Sequence, residues 1–190
     1  MIKYKNSSFK VRNNKEVKLT KGDPVIEEFF ICGNNMKTVF DGSLDQLYRG
    51  DSNVYYFVYP HEKRASHIRA DSLYGDKNDR FIKIDSILYK GIWYNAIRNV
   101  SQKGSMTYYY KKNIAIDPQA FKNCKFLEWA HFFKQTNGGI RLIAIEKNKR
   151  VYHVSEAIEI TRMELTLSDF TIPSDFKIDK PNYVKIPLSE

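Results

Sequence analysis

Residues 81–112, FIKIDSILYKGIWYNAIRNVSQKGSMTYYYKK, contain three strand-like runs at 81–89, 92–100 and 106–112, separated by short Gly-containing segments. The runs are rich in β-branched and aromatic residues, which fit the pleated, half-buried surface of a sheet. Short strands and turns that repeat at roughly 8–12 residues are typical of all-β proteins. This stretch therefore predicts three consecutive antiparallel strands and a mainly β (α+β) fold.

The segment 25–40 predicts a further β-hairpin. Val25–Cys32 is a compact apolar run, and the run 36–40 continues as its partner strand. Gly33 and Asn34 lie between them and tolerate positive φ, which a tight turn requires. A second turn signal and a polar stretch follow at 41–52.

Two other segments before residue 81 are expected at different places in the sheet. Val54–Tyr59 is apolar on both faces and is stopped by Pro60, which indicates a central strand. Residues 1–22 are polar and rich in Lys and Asn, and they indicate an edge strand or a loose leader. The length of 190 residues fits one domain, 1–190.

Residues 118–134 predict the one main helix. Asp117 is a suitable N-cap, Pro118 suits the first helical position, and apolar residues then recur at helical spacing. The stretch Asn137, Gly138 and Gly139 provides a stop signal. Apolar residues cover much of the predicted circumference, so we expect this helix to be buried against the sheet.

The remaining sequence predicts strands and an extended tail. Runs at 140–146 and 151–156 indicate a hairpin, and 157–165 continues as a strand. Residues 177–190 indicate an extended tail. No stretch approaches the roughly 18 apolar residues of a membrane span, and the chain starts without a signal-peptide pattern.

The net charge and the two cysteines exclude few classes of function. The net charge of +9 can attract anions, but the basic residues are scattered, which favours solvated surface positions. Cys32 and Cys124 lie within apolar runs, so buried, unpaired thiols are favoured, although a disulfide remains open.

No motif indicates catalysis. The four histidines form no zinc-ligand spacing, and phosphate loops and nucleophile motifs are absent from the sequence. We therefore expect no metal and no cofactor, and no enzyme activity is favoured, although a catalytic site assembled from residues distant in sequence stays open. Tyrosine clusters at 55–59 and 108–110 could stack bases or sugars, but sheet packing is the favoured interpretation.

The second half resembles a known family. Three tyrosines at 108–110 are followed by KKNIAIDPQAF, by GGIRLIAIEKNKRVYHVSEAIEI and finally by FTIPSDF at 170–176. This order resembles the periplasmic lipoprotein-carrier (LolA/LolB-like) superfamily over residues 25–179, and is closest in pattern to uncharacterised secreted domains of Bacteroidetes-type bacteria. The resemblance implies a single curved antiparallel sheet, an open half-barrel, with the 118–134 helix packed on its concave face.

The resemblance also implies a function. It indicates an extracytoplasmic binding module that holds a lipid or acyl chain in an apolar concavity, with a lipid or acylated protein as partner and a membrane surface as a candidate one. The location implied is periplasmic, or outer-membrane-anchored as a lipoprotein with its signal removed, and a cytoplasmic location stays open. The expected lining residues are Val54, Tyr56, Val58, Ile92, Tyr94, Met106, Tyr108, Phe126, Trp129 and Phe133.

Two non-enzymatic alternatives also remain open from the residues. One is an envelope structural or interaction domain without a small ligand. The other is a binder of an anionic polymer, a glycan or a nucleic acid, suggested by the net charge of +9 and by tyrosines beside lysines. The scattered positive charge argues against an anionic-polymer binder, and nucleic acid is not an expected partner.

Overall fold

One large open sheet dominates the structure. The computed structural model describes residues 1–12, 15–19, 25–71, 80–101, 104–148 and 151–179. Over these residues it shows thirteen strands in a single sheet, one eight-residue α-helix and four short 3₁₀ helices. The sheet is antiparallel throughout except at its last, two-residue strand. The mainly β class is therefore confirmed.

The strands follow one another along the chain with short connections. Their bounds are β1 (Ile2–Arg12), β2 (Lys15–Lys18), β3 (Val25–Cys32), β4 (Asn35–Phe40), β5 (Ser43–Arg49), β6 (Val54–Tyr59), β7 (Arg64–Arg69), β8 (Arg80–Tyr89), β9 (Ile92–Ser101), β10 (Gly104–Ala115), β11 (Gly139–Lys147), β12 (Val151–Ile160) and β13 (Lys177–Ile178). Their order across the sheet is β13-β7-β6-β5-β4-β3-β1-β12-β11-β10-β9-β8, and β2 pairs with β1. The strands β8, β9 and β10 confirm the three runs predicted from 81–112, and β3 and β4 confirm the hairpin.

The first strand corrects the prediction for residues 1–22. β1 lies inside the sheet, where it pairs with β12 on one side and with β3 on the other, so it is neither an edge nor a loose leader. Its Tyr4 side chain is fully buried. A polar strand tolerates this position because only its alternate side chains face the core, and the ladder satisfies its backbone groups on both sides.

Two further strand predictions need correction. The polar stretch after Gly42 contains a strand, β5, in which Leu47 and Tyr48 are buried. The strand expected at 157–165 ends at Ile160 as part of β12. In the tail only β13 is a strand, and residues 180–190 lie outside the described part of the chain.

The sheet curves around its helical segment. Tyr55 of β6 and Ile97 of β9 belong to one buried cluster with Phe132, although eight strand steps separate β6 from β9. Strands lie about 4.8 Å apart, so a flat sheet would hold these two strands about 38 Å from each other. Packing against the same short helix requires strong bending. We call this concave side the inner face; it carries Tyr4, Phe29 and Tyr108.

The helix predicted at 118–134 is broken in the structure. Residues Pro118–Phe121 and Phe126–Glu128 form 3₁₀ helices, and only Trp129–Thr136 is α-helical (α1). Leu127 has a φ of 49°, which interrupts the right-handed path. The backbone N–H of Phe126 donates to the carbonyl of Ala70 instead of to a preceding helical turn. This tertiary hydrogen bond explains why helical spacing did not give one continuous helix.

The two ends of the helical segment agree with the prediction. The Asp117 side chain accepts a hydrogen bond of 2.9 Å from the backbone of Gln119. After α1, Asn137 and Gly138 adopt positive φ, and a Cβ at Gly138 would lie 1.8 Å from a backbone oxygen. The chain can therefore reverse sharply into β11.

Candidate functional site

A cavity of about 350 Å³ lies between the helical segment and the inner face. Its size falls at the low end of the roughly 300–1,000 Å³ that is usual for small-molecule sites. Seven of the eleven described lining residues are aromatic or aliphatic, and four are polar or charged. The lining residues are Glu27, Phe29, Thr38, Phe40, Gln46, Phe81, Tyr108, Leu127, Trp129, Phe132 and Arg141.

The aromatic wall is held in place by ring contacts. Trp129 stacks on Phe29 with ring centroids 5.4 Å apart, and Tyr108 meets Phe132 edge-on at 5.1 Å. Phe132 is almost fully buried, whereas Trp129 and Tyr108 are only half-buried. The half-buried rings leave apolar area facing the cavity, which an apolar ligand could cover.

One ion pair stands in this apolar wall. Arg141 Nη2 lies 3.3 Å from Glu27 Oε1, and both side chains are less than one-fifth exposed. The Arg141 guanidinium also lies over the Tyr4 ring, 4.8 Å from its centroid, and Asn6 Nδ2 donates to Glu27 Oε2 at 3.2 Å. The Tyr4 hydroxyl in turn donates to the Arg141 carbonyl at 2.6 Å. These contacts fix the pair on the inner face.

A β-bulge aims Arg141 at the cavity. In the β10–β11 pairing, Tyr110 lies opposite Arg141 and Tyr109 lies opposite Ile143, so Leu142 is an extra residue. An extra residue reverses the alternation of side chains along a strand. Ile143 therefore faces the outer side of the sheet together with Tyr109, while Arg141 faces inward.

Burial changes the ionisation of these groups. It raises the pKa of the Tyr4 hydroxyl, which therefore stays protonated near neutral pH. Burial alone would lower the pKa of the Arg141 guanidinium, but interactions with Tyr4 and Glu27 outweigh it and the pKa is raised. Burial also raises the pKa of the nearby Asp45 carboxyl. Arg141 is thus a permanent positive charge in a mostly apolar setting.

A second cavity, of about 330 Å³, adjoins the first along the inner face. The two share Glu27, Phe40 and Arg141 in their linings. The second cavity is also lined by Met106 and Ser155, and by Ser8, whose hydroxyl is 2.6 Å from His153 Nδ1. The pair of cavities forms a continuous inner concavity with Arg141 at the junction.

The structure brings half of the predicted lining residues to the inner face. Trp129 and Tyr108 line the first cavity, and Met106 lines the second. Phe126 and Phe133 also lie on this side, but both are buried in the core and contact neither cavity.

The other predicted residues lie elsewhere. Tyr55 and Phe57 contact the Phe126 ring, so the alternate residues of β6 point to the opposite face; these are Val54, Tyr56 and Val58. Tyr94 packs with Tyr109 on the outer face, and Ile92, near the β8–β9 turn, is nearly half exposed. The placement of these five residues in one concavity is therefore corrected.

Sequence reasoning missed Glu27 and Arg141. Each is a charged residue within an otherwise apolar strand, VIEEFFIC for Glu27 and GGIRLIAIE for Arg141. A charge within such a run was the available signal, because buried charges are rare unless they are paired.

A groove of about 660 Å³ lies on the outer face. The described part of its lining contains four lysines and one carboxylate, that of Glu156, which is already paired with Lys90 at 2.6 Å. The rings of Phe9 and Tyr152 stack at 5.1 Å within it. The lysines are Lys5, Lys18, Lys90 and Lys147.

Other chemistry receives little support from the described residues. Among them, no group of three or more His, Cys, Asp or Glu side chains could hold a metal ion. Cys32 and Cys124 are free thiols, the first half-buried and the second buried. None of the described helices has the length and apolar character needed to cross a membrane.

Comparisons with known proteins concern the fold. No protein-family model and no curated protein sequence matches the chain. It is similar to the crystal structure of an uncharacterized conserved protein from Thermus thermophilus, with a TM-score of 0.53 and 8% identity over 94% of this chain and 90% of that one. This likeness shows a shared mainly β fold.

Two weaker likenesses were also found. PNGF-II matches with a TM-score of 0.49 and 8% identity over 95% of this chain, which spans only 32% of that protein. A putative outer membrane lipoprotein-sorting protein domain from Vibrio parahaemolyticus matches with a TM-score of 0.38 and 9% identity, over 90% of this chain and 89% of that one.

Proposed function

We propose that the protein is an extracytoplasmic binding module that holds a lipid or acyl chain in the inner concavity. The observation that carries the proposal is the cavity of about 350 Å³ with its mainly aromatic wall. A fully packed interior would have left no room for such a ligand. Each methylene moved from water into an apolar site contributes about 0.8 kcal/mol, so even a short chain could bind measurably.

The proposal is for binding rather than catalysis. The groups at the site are an ion pair, rings and a few polar side chains, and an apolar pocket with a few convergent polar groups is the usual form of a binding site. The sequence resemblance of residues 25–179 to lipoprotein carriers supports a lipid or acylated protein as the partner, and it supports an envelope location. A membrane surface is the expected source of such a ligand.

Native mass spectrometry of the purified protein, followed by solvent extraction, tests the proposal directly. We expect a co-purifying or added acyl-chain species at one per protein. Leu127 lines the cavity, and Leu127→Asp should weaken binding because it places a charge beside the chain. Leu88 is exposed on the β8 edge strand, and Leu88→Asp is the matched control that should leave binding unchanged. Equal binding by both variants would place the ligand outside this cavity.

The outer groove supports a second candidate function, binding of an acidic glycan. Among its described lining residues, four lysines face a single, already paired carboxylate, and the Phe9–Tyr152 stack offers an apolar surface for sugar rings. Such binding should weaken steeply with added salt, because exposed charges are screened. Titration with a uronic-acid polymer at two salt concentrations tests this. An affinity that does not change with salt concentration would contradict glycan binding at this groove.

A further inference from the structure

We propose that the ligand of the inner concavity is a single-chain amphiphile with one anionic head, an alkyl carboxylate, and that Arg141 binds the head. This inference rests on the proposed function and adds the chemistry of the head group. It is carried by an unused hydrogen-bond donor of Arg141, at the junction of the two cavities, and by one of Ser155, which lines the second cavity.

Arg141 is poorly satisfied for a buried arginine. A guanidinium has five N–H donors in a planar fork. Its hydrogen bond to Glu27 is long, at 3.3 Å, and its Nε is buried with no partner within the described part of the chain. Buried charged donors without acceptors are costly, and a ligand carboxylate would supply acceptors in the geometry that the fork matches.

A second unused donor lies nearby. The Ser155 hydroxyl is buried without a hydrogen-bond partner among the described residues, and Ser155 lines the second cavity together with Arg141. Most buried polar side-chain atoms in proteins have a hydrogen-bond partner, so the lack of one here needs an explanation. Arg141 and Ser155 both line the second cavity, so one carboxylate bound there would have both side chains beside it.

The apolar wall gives the direction of the chain. The first cavity, beyond Arg141, is bounded by Trp129, Phe132 and Tyr108. The ligand's head would therefore lie at the junction of the two cavities, and its acyl chain would lie under α1. The first cavity, of about 350 Å³, has room for one acyl chain. Glu27 shares the guanidinium, so it competes with the ligand and limits the head to a single charge.

Competition by Glu27 predicts the direction in which the affinity for a carboxylate changes when Glu27 is replaced. Glu27→Gln removes the carboxylate that occupies one edge of the guanidinium, and like-charge repulsion of the ligand disappears with it. Binding of a carboxylate should therefore become tighter in this variant. Binding of an uncharged amphiphile of the same chain length should change little.

Calorimetric titration with dodecanoate and with dodecanol is the test. Hydrogen bonds to charged groups predict that the wild-type protein binds dodecanoate about ten- to hundredfold more tightly than dodecanol. Arg141→Met should abolish this preference while dodecanol binding persists, and Glu27→Gln should increase it. Arg98, on an exposed outer-face position, gives the matched control Arg98→Met, which should retain the preference.

The outcomes separate the two proposals. Equal binding of acid and alcohol by the wild-type protein overturns the head-group inference and leaves the lipid-binding function standing. Binding of neither overturns both. If Arg141→Met fails to fold because Glu27 is left alone, the double variant Glu27→Gln/Arg141→Met removes both charges and gives the same readout. A preference retained in that double variant also overturns the inference.

Discussion

Removal of Arg141 alone should destabilise the protein strongly. In Arg141→Met the Glu27 carboxylate stays on the inner face, only 13% exposed, with the Asn6 amide as its remaining partner. A methionine has a comparable length and no charge, so packing changes little. The loss of stability therefore reports mainly the cost of an unpaired buried charge.

The magnitude follows from the geometry. At 3.3 Å and an effective dielectric constant of about 20, the attraction between the two charges is about 5 kcal/mol. Desolvation of each ion costs several kcal/mol, so the intact pair contributes little net stability. Removing one partner leaves the desolvation of the other uncompensated, at about 3 kcal/mol, reduced slightly by Asn6. The double variant Glu27→Gln/Arg141→Met should recover to within about 1 kcal/mol of the wild-type protein.

Urea unfolding followed by tryptophan fluorescence measures these values, because Trp129 is packed against the core that unfolds. The exposed pair of Lys63 and Asp175, 2.8 Å apart, provides the control: Lys63→Met should leave the midpoint unchanged. A midpoint for Arg141→Met equal to that of the wild-type protein would refute the reasoning. It would mean that water reaches Glu27 freely.

Three further predictions test the core, the helix end and the thiols. Phe133 is almost fully buried, so Phe133→Ala should cost about 3–5 kcal/mol in unfolding free energy, whereas Ile82→Ala on the exposed edge strand should stay within about 0.5 kcal/mol. Gly138→Ala should lower the thermal midpoint clearly, since the added Cβ would lie 1.8 Å from a backbone oxygen; an unchanged midpoint would contradict the described turn. Burial raises the pKa of the Cys124 thiol to about 12, so iodoacetamide should label Cys32 first at neutral pH, as read by mass mapping of the peptides that contain each cysteine. Equal labelling rates in the folded protein would contradict this burial.

The strands could be predicted from sequence because the residues that favour each strand, and the turn residues that end it, lie within or next to that strand. The bounds of Val54–Tyr59 agree with the prediction, since Pro60 and a preceding turn delimit the strand. The face on which its side chains lie could not be predicted, because all six positions are apolar and no alternation distinguishes Tyr55 from Tyr56. Only the pairing of β6 with its neighbouring strands determines which side chains lie on the inner face and which on the outer face.

The helix and the ion pair depended on tertiary structure. The break at Leu127 accompanies a hydrogen bond between Phe126 and Ala70, which are far apart in sequence. The pairing of Glu27 with Arg141 depends on a bulge in β11 and on the insertion of β1 between distant strands. Neither contact leaves a periodic signal in either segment, so the candidate site was only half predictable.

The internal place of β1 has a consequence for how the chain folds. The strands β3–β7 and β8–β12 are two successions of neighbours that can pair soon after synthesis. The ladder between β1 and β12 closes a loop of nearly the whole domain: the Met1 nitrogen and the Thr161 oxygen, 160 residues apart, are hydrogen-bonded at its end. Proteins dominated by such distant pairings fold slowly, in milliseconds to seconds. Until β12 leaves the ribosome, one edge of β1 has no partner strand. Because unpaired strand edges promote aggregation, the nascent chain is exposed to aggregation longest at β1, which joins the two halves of the sheet.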